Sequence, residues 1–207
     1  MIEPYHSKYL SPSKEFRKLS LLLLIKDGAN ISQHTLAEKS HLSSSMVNVY
    51  IKDLADEALI TVSGKSNRTI RYHLTEKGKK FLYKNFLEFS AETVQIYASV
   101  KREIIRLLRQ FESLGIKNIV LYGASDTAEI VTAAIQHTQI TVIGVIDSDP
   151  AKHGKIFNGH TIRSPEAIKS IIPDGILITS FAHQNEIHDN IEKLASPGVQ
   201  ILKLANL

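Results

Sequence analysis

The chain has 207 residues, of which 43% are hydrophobic, so it is long enough for two small domains that each bury a core. It contains no cysteine, which excludes disulfides and thiolate metal sites and fits a reducing compartment. Met1 is not followed by a basic and then apolar signal pattern, and the longest apolar run, residues 21–25, is too short to span a bilayer. We therefore expect a cytoplasmic protein with no membrane partner.

The net charge of +4 is unevenly distributed along the chain. Residues 1–90 carry 14 Lys or Arg and 9 Asp or Glu, a net of +5, while residues 115–207 carry 7 and 9, a net of −2. A basic front half favours a polyanionic partner for that half, although many solvated surfaces differ by as much.

A first helix is predicted over residues 15–27. Leu19, Leu22 and Leu23 recur there at helical spacing, and Gly28 ends the run.

A helix-turn-helix is predicted next. Ser32 is suited to cap a short helix that ends near Ser40, and Ser43 is suited to cap a longer one. The apolar stripe of the longer helix consists of Met46, Val47, Tyr50, Ile51, Leu54 and Leu59. A three-residue turn joins the two helices, with the small Ala37 at their crossing. His41 lies in that turn, and histidine tolerates the left-handed backbone conformation better than most residues.

A winged form of this motif is predicted from the residues that follow. Residues 60–63 are typical of a short strand, residues 64–68 ("GKSNR") of a polar, basic turn, and residues 69–74 of a returning strand. Thr75 is then suited to cap a further helix. The domain that these elements form is expected to cover residues 1–89.

The strings "AEKSHLSSSMVNVYIKDLADEALI" and "YHLTEKGKKFL" resemble the winged-helix domains of MarR-type bacterial regulators, over roughly residues 14–85. The resemblance implies that the longer helix enters the major groove of double-stranded DNA and that the wing meets phosphates or the minor groove. The residues that it places against DNA are Ser44, Ser45, Asn48, Lys52, Lys65, Asn67, Arg68 and Arg71. Asn48 would pair with adenine through two hydrogen bonds, and Lys52 would meet guanine or phosphate. Two alternatives remain open: the serines only cap the helix, or the polar face is solvated and the domain binds protein.

A linker helix is predicted over residues 90–114, with any break from the preceding helix near Ser90. Residues at alternating three- and four-residue steps form a heptad-like stripe, made of Val94, Tyr97, Lys101, Ile104, Leu108 and Phe111. The stripe fits a dimer seam and fits equally well a helix packed on its own domain. We favour a homodimer, because winged-helix regulators usually read two-fold sites.

Strands and helices alternate in residues 115–207, which predicts a parallel sheet. The predicted strands are residues 117–123, 140–147, 175–180 and 198–204. The predicted helices are residues 126–138, 164–172 (capped by Ser164) and 185–195. The fold class is therefore α/β plus α+β: an N-terminal winged helix, a linker helix and a small Rossmann-like parallel sheet. Ligands in such sheets bind outside the carboxyl ends of the strands, here the loops at residues 123–127, 147–155 and 179–184.

The first of these loops partly fits the dinucleotide-binding pattern G-x-G-x-x-G/A. Gly123 fits the first position and Ala128 the third, but Ser125 occupies the second, where its Cβ would hold a diphosphate away from the backbone. Asp126 is placed to cap the helix itself and to compete with a phosphate, and a ligand that donates hydrogen bonds to it would fit better. Asp147, which ends the second strand, is suited to accept hydrogen bonds from ribose hydroxyls.

The string "GVIDSDPAKHGKIFNGHTI" resembles the Rossmann domains of polysaccharide enzymes that are linked to sugar nucleotides, and "ILITSFAHQNEI" resembles the tail domains of sugar C-methyltransferases. The ligand contacts that this implies, together with Asp126, are Gly123, Ala124, Ser125, Asp147, Asp149, Lys155, Ser180 and His183. Lys152 and Lys155 would offset a diphosphate charge. The alternative is that residues 147–150 form only a turn and that the lysines are solvated.

We find no catalytic residue set in the sequence and no metal-ligand spacing; His183 and His188, for example, are five residues apart. A winged helix followed by a small Rossmann domain resembles the layout of the Rex family of redox-sensing repressors, which implies NAD(H) as a second candidate ligand. The main hypothesis is a bacterial transcriptional regulator that senses a nucleotide or nucleotide-sugar, linked to surface polysaccharide synthesis. The alternatives are a nucleotide-sugar-modifying enzyme or accessory protein, a Rex-like repressor, and an interaction module with no ligand.

Overall fold

The computed structural model describes residues 11–28, 31–64, 69–181 and 184–204. Backbone contacts divide the chain into two units, Met1–Val94 and Gln95–Leu207. The domain boundaries expected from the sequence, at residues 89 and 114, differ from this division and stay predictions.

The first unit has the order of a winged helix. Its elements are α1 (Lys14–Asp27), α2 (Gln33–Ser40), α3 (Ser44–Asp56), β1 (Ile60–Ser63), β2 (Arg71–Leu74) and the start of α4 (Glu76–Ser113). The two predicted serine caps are confirmed: the Ser32 hydroxyl accepts from the Thr35 amide at 3.1 Å, and the Ser43 hydroxyl accepts from the Met46 amide at 3.3 Å. His41 has φ of 53°, the left-handed conformation expected of it.

The wing strands and the start of α4 close this unit. β1 pairs antiparallel with β2, with Ile60 opposite Leu74. The Thr75 hydroxyl caps α4 by accepting from the Gly78 amide at 2.9 Å. A Cβ at Gly78 would lie 1.9 Å from the carbonyl oxygen of Leu59, so a glycine is required in this helix for the close approach of the backbone after α3.

Helix α4 is continuous through residue 90, so the predicted break near Ser90 is wrong. No proline or glycine lies between residues 79 and 113, and the Ser90 hydroxyl donates to the Phe86 carbonyl at 2.7 Å without interrupting the helix. The heptad-like stripe is divided. Ile104 and Leu108 are fully buried in the core of the second unit, whereas Val94 is 62% exposed. The part of the stripe from Ile104 onward therefore packs within the second unit, and only the part around Val94 remains available to a partner.

The second unit is an α/β sheet. Its elements are β3 (Asn118–Tyr122), α5 (Asp126–Ile135), β4 (Thr141–Ile146), β5 (Ile156–Phe157), β6 (His160–Arg163), β7 (Gly175–Ile178), α6 (Gln184–Glu192) and β8 (Gln200–Lys203). In the described residues the strand order is β5-β6-β4-β3-β7-β8. All neighbours are parallel except β5 and β6, which form an antiparallel hairpin. Counted along the chain, the five parallel strands are β3, β4, β6, β7 and β8. Across the sheet they lie in the order third, second, first, fourth and fifth.

The central strand β3 is covered on both faces. Ile119 and Leu121 pack in one buried cluster with Leu108 of α4, while Val120 and Tyr122 pack in a second cluster on the opposite face. This burial accounts for the continuous apolar character of the strand, which is typical of parallel sheets.

Two local features of the second unit differ from the sequence prediction. The segment after Ser164 is a 3-10 helix, Pro165–Ser170, and in the described part of the chain Ser164 gives it no side-chain cap. The helix ends at Ser170, and Ile171 after it has extended backbone. The sequence predicted only an extended segment where β5 and β6 form a hairpin. Asn158 and Gly159 have φ of 47° and 82°, as a two-residue hairpin turn requires. None of the helices within the described ranges has the length and apolar character that a membrane span needs.

Candidate nucleic-acid interface and sheet-edge cleft

Helix α3 has one buried and one exposed face. Val47, Tyr50 and Leu54 are buried in the core of the first unit. The predicted DNA contacts on this helix are all exposed on the other face: Ser44, Ser45, Asn48 and Lys52. The helix therefore presents polar side chains with hydrogen-bonding capacity to solvent, as a helix that reads base edges must.

The serines at the start of α3 have different contacts. Ser43, outside the helix, is the cap, and its hydroxyl lies 2.9 Å from that of Ser45. The alternative in which the serines serve the helix rather than DNA therefore applies in part to Ser45. The Ser44 carbonyl oxygen accepts a 3.4 Å hydrogen bond from the Gln33 side chain, a backbone contact that leaves the role of the Ser44 hydroxyl a prediction.

Asn48 has a partner that the sequence analysis did not identify. The Gln33 side-chain amide donates to Oδ1 of Asn48 at 2.7 Å. Gln33 is the first residue of α2. A polar side chain at that position of a helix-turn-helix was the feature of the sequence that could have indicated this contact with α3. The amide of the residue predicted to read adenine is thus already held by one hydrogen bond.

Helix α3 is tied to α1 by ion pairs at its carboxyl end. The buried Lys18 ammonium lies 2.5 Å from Glu57 and 3.8 Å from Asp53, and Lys14 lies 3.4 Å from Asp53. These lysines offset the carboxylates at the end of the helix, away from the side chains proposed to face DNA.

The described part of the wing gives less information. Arg71 is half-buried, and its guanidinium donates to the Ile70 carbonyl at 2.8 Å. The predicted contacts Lys65, Asn67 and Arg68 lie outside the described residues, as does His183 of the second unit.

At the carboxyl edge of the sheet, β3, β4 and β7 bring three loops together. The Gly123 amide donates to the Ile146 carbonyl at 2.8 Å, and the Thr179 hydroxyl lies 2.6 Å from the Gly123 carbonyl oxygen. Gly123 has φ of 106°, and a Cβ there would lie 2.9 Å from the Thr179 hydroxyl. The turn and the neighbouring strand therefore both require glycine at this position.

Asp147 is the centre of this edge. Its carboxylate is buried and accepts from the Asp149 amide at 2.9 Å, the Ala124 amide at 2.8 Å and the Lys152 ammonium at 2.9 Å. Burial alone would raise the pKa of Asp147, but these three donors outweigh it and hold the pKa below its ordinary value. Lys152 also donates to the Ala124 carbonyl at 3.0 Å.

This arrangement bears on two expectations. Three of the roughly four acceptor positions of the Asp147 carboxylate are occupied, so it joins the loops after β3 and β4, and its contact with ribose hydroxyls stays a prediction for the remaining position. The Lys152 ammonium is paired with Asp147, which takes up part of the charge that was expected to offset a diphosphate, while its side chain stays 33% exposed. The Ala124 amide is likewise occupied by Asp147.

The start of α5 also differs from expectation. Ser125 is the N-cap residue but makes no side-chain cap bond; its hydroxyl donates to the Thr179 carbonyl at 3.4 Å. Asp126 is the first helical residue and is exposed, and within the described residues it forms no capping hydrogen bond, so its predicted capping role is wrong. The Asp126 charge at the first helical position still favours the helix dipole.

The remaining predicted contacts are dispersed. Asp149 caps the 3-10 helix Pro150–Lys152 by accepting from the Ala151 amide at 2.9 Å. Lys155 is exposed, and Ser180 is half-buried in the loop after β7. The described residues contain no group of acidic or histidine side chains able to hold a metal ion.

Two family models match parts of the chain. Residues 17–61 match the winged helix-turn-helix DNA-binding family, and residues 115–202 match the family described as C2185-like, N-terminal. Each match covers less than half of the chain. The protein thus carries an N-terminal winged helix-turn-helix of the DNA-binding type, followed by a long helix and an α/β unit. No curated protein matches the chain.

Solved structures show partial similarity. A MarR family transcriptional regulator from Rhodococcus sp. RHA1 is 20% identical with a TM-score of 0.37, over 39% of this chain and 59% of that one, less than two thirds of its length. A MarR family regulator from Silicibacter pomeroyi DSS is 25% identical with a TM-score of 0.36, over 48% of this chain and 66% of that one. UDP-D-quinovosamine 4-dehydrogenase from Vibrio fischeri is 24% identical with a TM-score of 0.35, over 44% of this chain and 82% of that one.

Proposed function

We propose that this protein is a bacterial DNA-binding transcriptional regulator whose α/β unit binds a nucleotide or nucleotide-sugar effector. The observation that carries the first part is the exposed polar face of α3, with Asn48 and Lys52 opposite a buried apolar face, inside a segment that matches a DNA-binding family. The net charge of +5 on residues 1–90 supports a polyanionic partner for this unit.

In the proposed complex, α3 lies in the major groove. The amide of Asn48 pairs with adenine through two hydrogen bonds, and Lys52 meets guanine or a phosphate. Arg71 and the basic residues of the wing contact phosphates or the minor groove, which adds affinity with little sequence information.

We further propose that two copies associate through the exposed part of α4. Its exposed apolar side chains are Tyr83, Phe86, Leu87, Val94, Ile96 and Tyr97. A second copy is the occupant we favour, because a winged helix gains affinity and specificity when a two-fold dimer reads two half-sites.

The strand order of the second unit supports a Rossmann-like ligand site. With β3 central and later strands added on both sides, the order reverses beside β3, and ligands of such sheets bind in the crevice at that point. The loops that border it here are those after β3 and β7, with Ser125 and Ser180.

The polar groups at this crevice favour a sugar over a bare diphosphate. The first turn of α5 lacks a side-chain cap, so its amides need acceptors, while the exposed Asp126 carboxylate needs donors. A hydroxyl group both donates and accepts, whereas a phosphate would be repelled by Asp126. We propose that a nucleotide-sugar meets both requirements by placing its sugar hydroxyls, and not its diphosphate, at this turn, and we propose with it a link to surface polysaccharide synthesis.

We propose a regulatory rather than an enzymatic role for the α/β unit, in which the effector changes the DNA affinity of the dimer. The test is a selection from random duplexes at moderate salt with the purified full-length protein. Enrichment of a related set of sequences supports the proposal; no enrichment together with no salt-sensitive binding contradicts it. Turnover of a UDP-sugar by the same preparation would favour an enzyme instead.

A further inference from the structure

We infer that Gln33 orients the side chain of Asn48 and thereby sets base preference, an inference that rests on the proposed binding of α3 to DNA. Gln33 is half-buried at the first position of α2. Its amide nitrogen is 2.7 Å from Oδ1 of Asn48 and 3.4 Å from the carbonyl oxygen of Ser44. One side chain of α2 thus bonds both the backbone and the proposed reading residue of α3.

The direction of this hydrogen bond has a chemical consequence. A free asparagine amide rotates about a broad, roughly two-fold torsion, so its oxygen and nitrogen exchange places at little cost. A donor from Gln33 keeps Oδ1 of Asn48 on the side that faces α2. Both hydrogens of Nδ2 and the second lone pair of Oδ1 stay available.

That set of groups matches adenine in the major groove. Nδ2 donates to N7 of adenine, and the free lone pair of Oδ1 accepts from the N6 amino group. Without Gln33, Asn48 would also present the flipped amide, and its discrimination between bases would fall.

The packing between the two helices holds Gln33 in place. Ala37 of α2 is only 7% exposed at the crossing, and the left-handed His41 sets the turn that brings the first residue of α2 over the second turn of α3. The Ser44 carbonyl gives Gln33 a second attachment on α3. Gln33 is therefore a positioning residue that acts through Asn48.

The test first identifies the base pair at which Asn48→Ala relaxes sequence selection. The base preference of the full-length protein is then measured by competition between duplexes that carry each of the four bases at that pair. We expect Gln33→Met to lower the preference for adenine at that pair by about 3- to 10-fold, a part of what a bidentate contact provides. Asn48→Ala combined with Gln33→Met should relax it no further than Asn48→Ala alone. His34→Ala, at the next exposed position of α2, is the matched control and should leave the preference unchanged.

A second variant reverses the hydrogen bond. The carboxylate of Gln33→Glu only accepts, so it draws Nδ2 of Asn48 toward α2 and turns Oδ1 outward. The donor and acceptor of Asn48 are then interchanged relative to N7 and N6 of adenine, so the preference for adenine at the same pair should fall at least as far as in Gln33→Met. A purely structural tie between α2 and α3 would not lower the preference for adenine over the other bases.

The outcomes separate the inference from the function on which it rests. If the wild-type protein selects no sequence, the proposed function fails. If wild type and Asn48→Ala differ but Gln33→Met keeps the full adenine preference, or lowers affinity equally for all four bases, the inference is overturned and the function stands.

Discussion

The Lys152 ammonium and the buried Asp147 carboxylate are 2.9 Å apart at the carboxyl edge of the sheet. Lys152 also donates to the Ala124 carbonyl, while Asp147 accepts from the Ala124 amide. The pair therefore binds both the amide and the carbonyl of Ala124, in the loop after β3. This relationship fixes the shape of the crevice in which we place the effector.

Loss of this pair should destabilise the α/β unit. In Lys152→Met the buried Asp147 carboxylate loses its only cationic partner among the described residues, and we expect a loss of about 1–3 kcal/mol in the free energy of unfolding, measured by urea denaturation. Lys155→Met is the matched control, because Lys155 is exposed, and it should change stability by less than about 0.5 kcal/mol. Equal stability of the two variants would show that the pair contributes nothing.

The depressed pKa of Asp147 predicts a direction for the pH dependence. A carboxyl whose pKa is lower in the folded than in the unfolded chain contributes stability that is complete above the unfolded value, about 3.9, and is lost as pH falls through the folded value. Asp174, whose pKa is lowered by hydrogen bonds from the Asn118 and Lys117 amides, acts in the same direction.

Unfolding followed by denaturant between pH 7 and pH 3 measures this dependence. Stability should be nearly constant from pH 7 to about pH 5 and should fall below about pH 4. Asp147→Asn removes one titrating group, so it should have lower stability at pH 7 and a shallower fall at acid pH. A steeper fall in this variant than in wild type would contradict the assignment.

Much of the fold could be predicted because its determinants are local. Ser32, Ser43 and Thr75 cap helices as expected, and the apolar strands β3, β4 and β7 lie where continuous runs predicted them. The heptad-like stripe of α4 could not be assigned, because the same spacing suits a core and a dimer seam. Which residues face which is decided by tertiary packing, and the structure buries Ile104 but exposes Val94.

The candidate site was harder to predict because its polar contacts join distant segments. Asp147 was recognised as important, but its bonds to Ala124 and Lys152 depend on how two loops meet, so its partners were read as ligand contacts. Asp126 was expected to cap α5, yet the helix begins at this residue and not after it. Gln33 was missed because its one indication, a polar side chain at the first position of α2, does not by itself predict a partner on α3.

Base contacts and phosphate contacts should respond differently to substitution. Asn48→Ala should relax the preference at one base pair, with a loss of about 1–3 kcal/mol of discrimination. Arg68→Ala should weaken binding evenly across sequences and reduce the slope of log K against log salt by about 0.9. Fluorescence anisotropy on matched and mismatched duplexes at several salt concentrations measures both. Identical behaviour of the two variants would contradict the separate roles.

The proposed dimer surface predicts a change in oligomeric state. Tyr97→Asp places a charge in the exposed apolar part of α4, so it should convert a dimer to a monomer without loss of fold, as measured by native mass spectrometry and circular dichroism. Gln95→Asp, at an exposed polar position two residues away, should leave the dimer intact. A wild-type monomer, or an intact Tyr97→Asp dimer, would show that this surface is not the interface.

The central claim is that one chain couples DNA recognition to a nucleotide-type effector. The most direct measurement is the affinity of the full-length protein for its selected duplex, titrated with a UDP-sugar, with UDP and NADH as comparison ligands. The account predicts a change of about 5- to 150-fold with the UDP-sugar, which Asp126→Ala reduces. Unchanged DNA affinity with all three ligands, together with no shift in the thermal unfolding of the α/β unit, would contradict it.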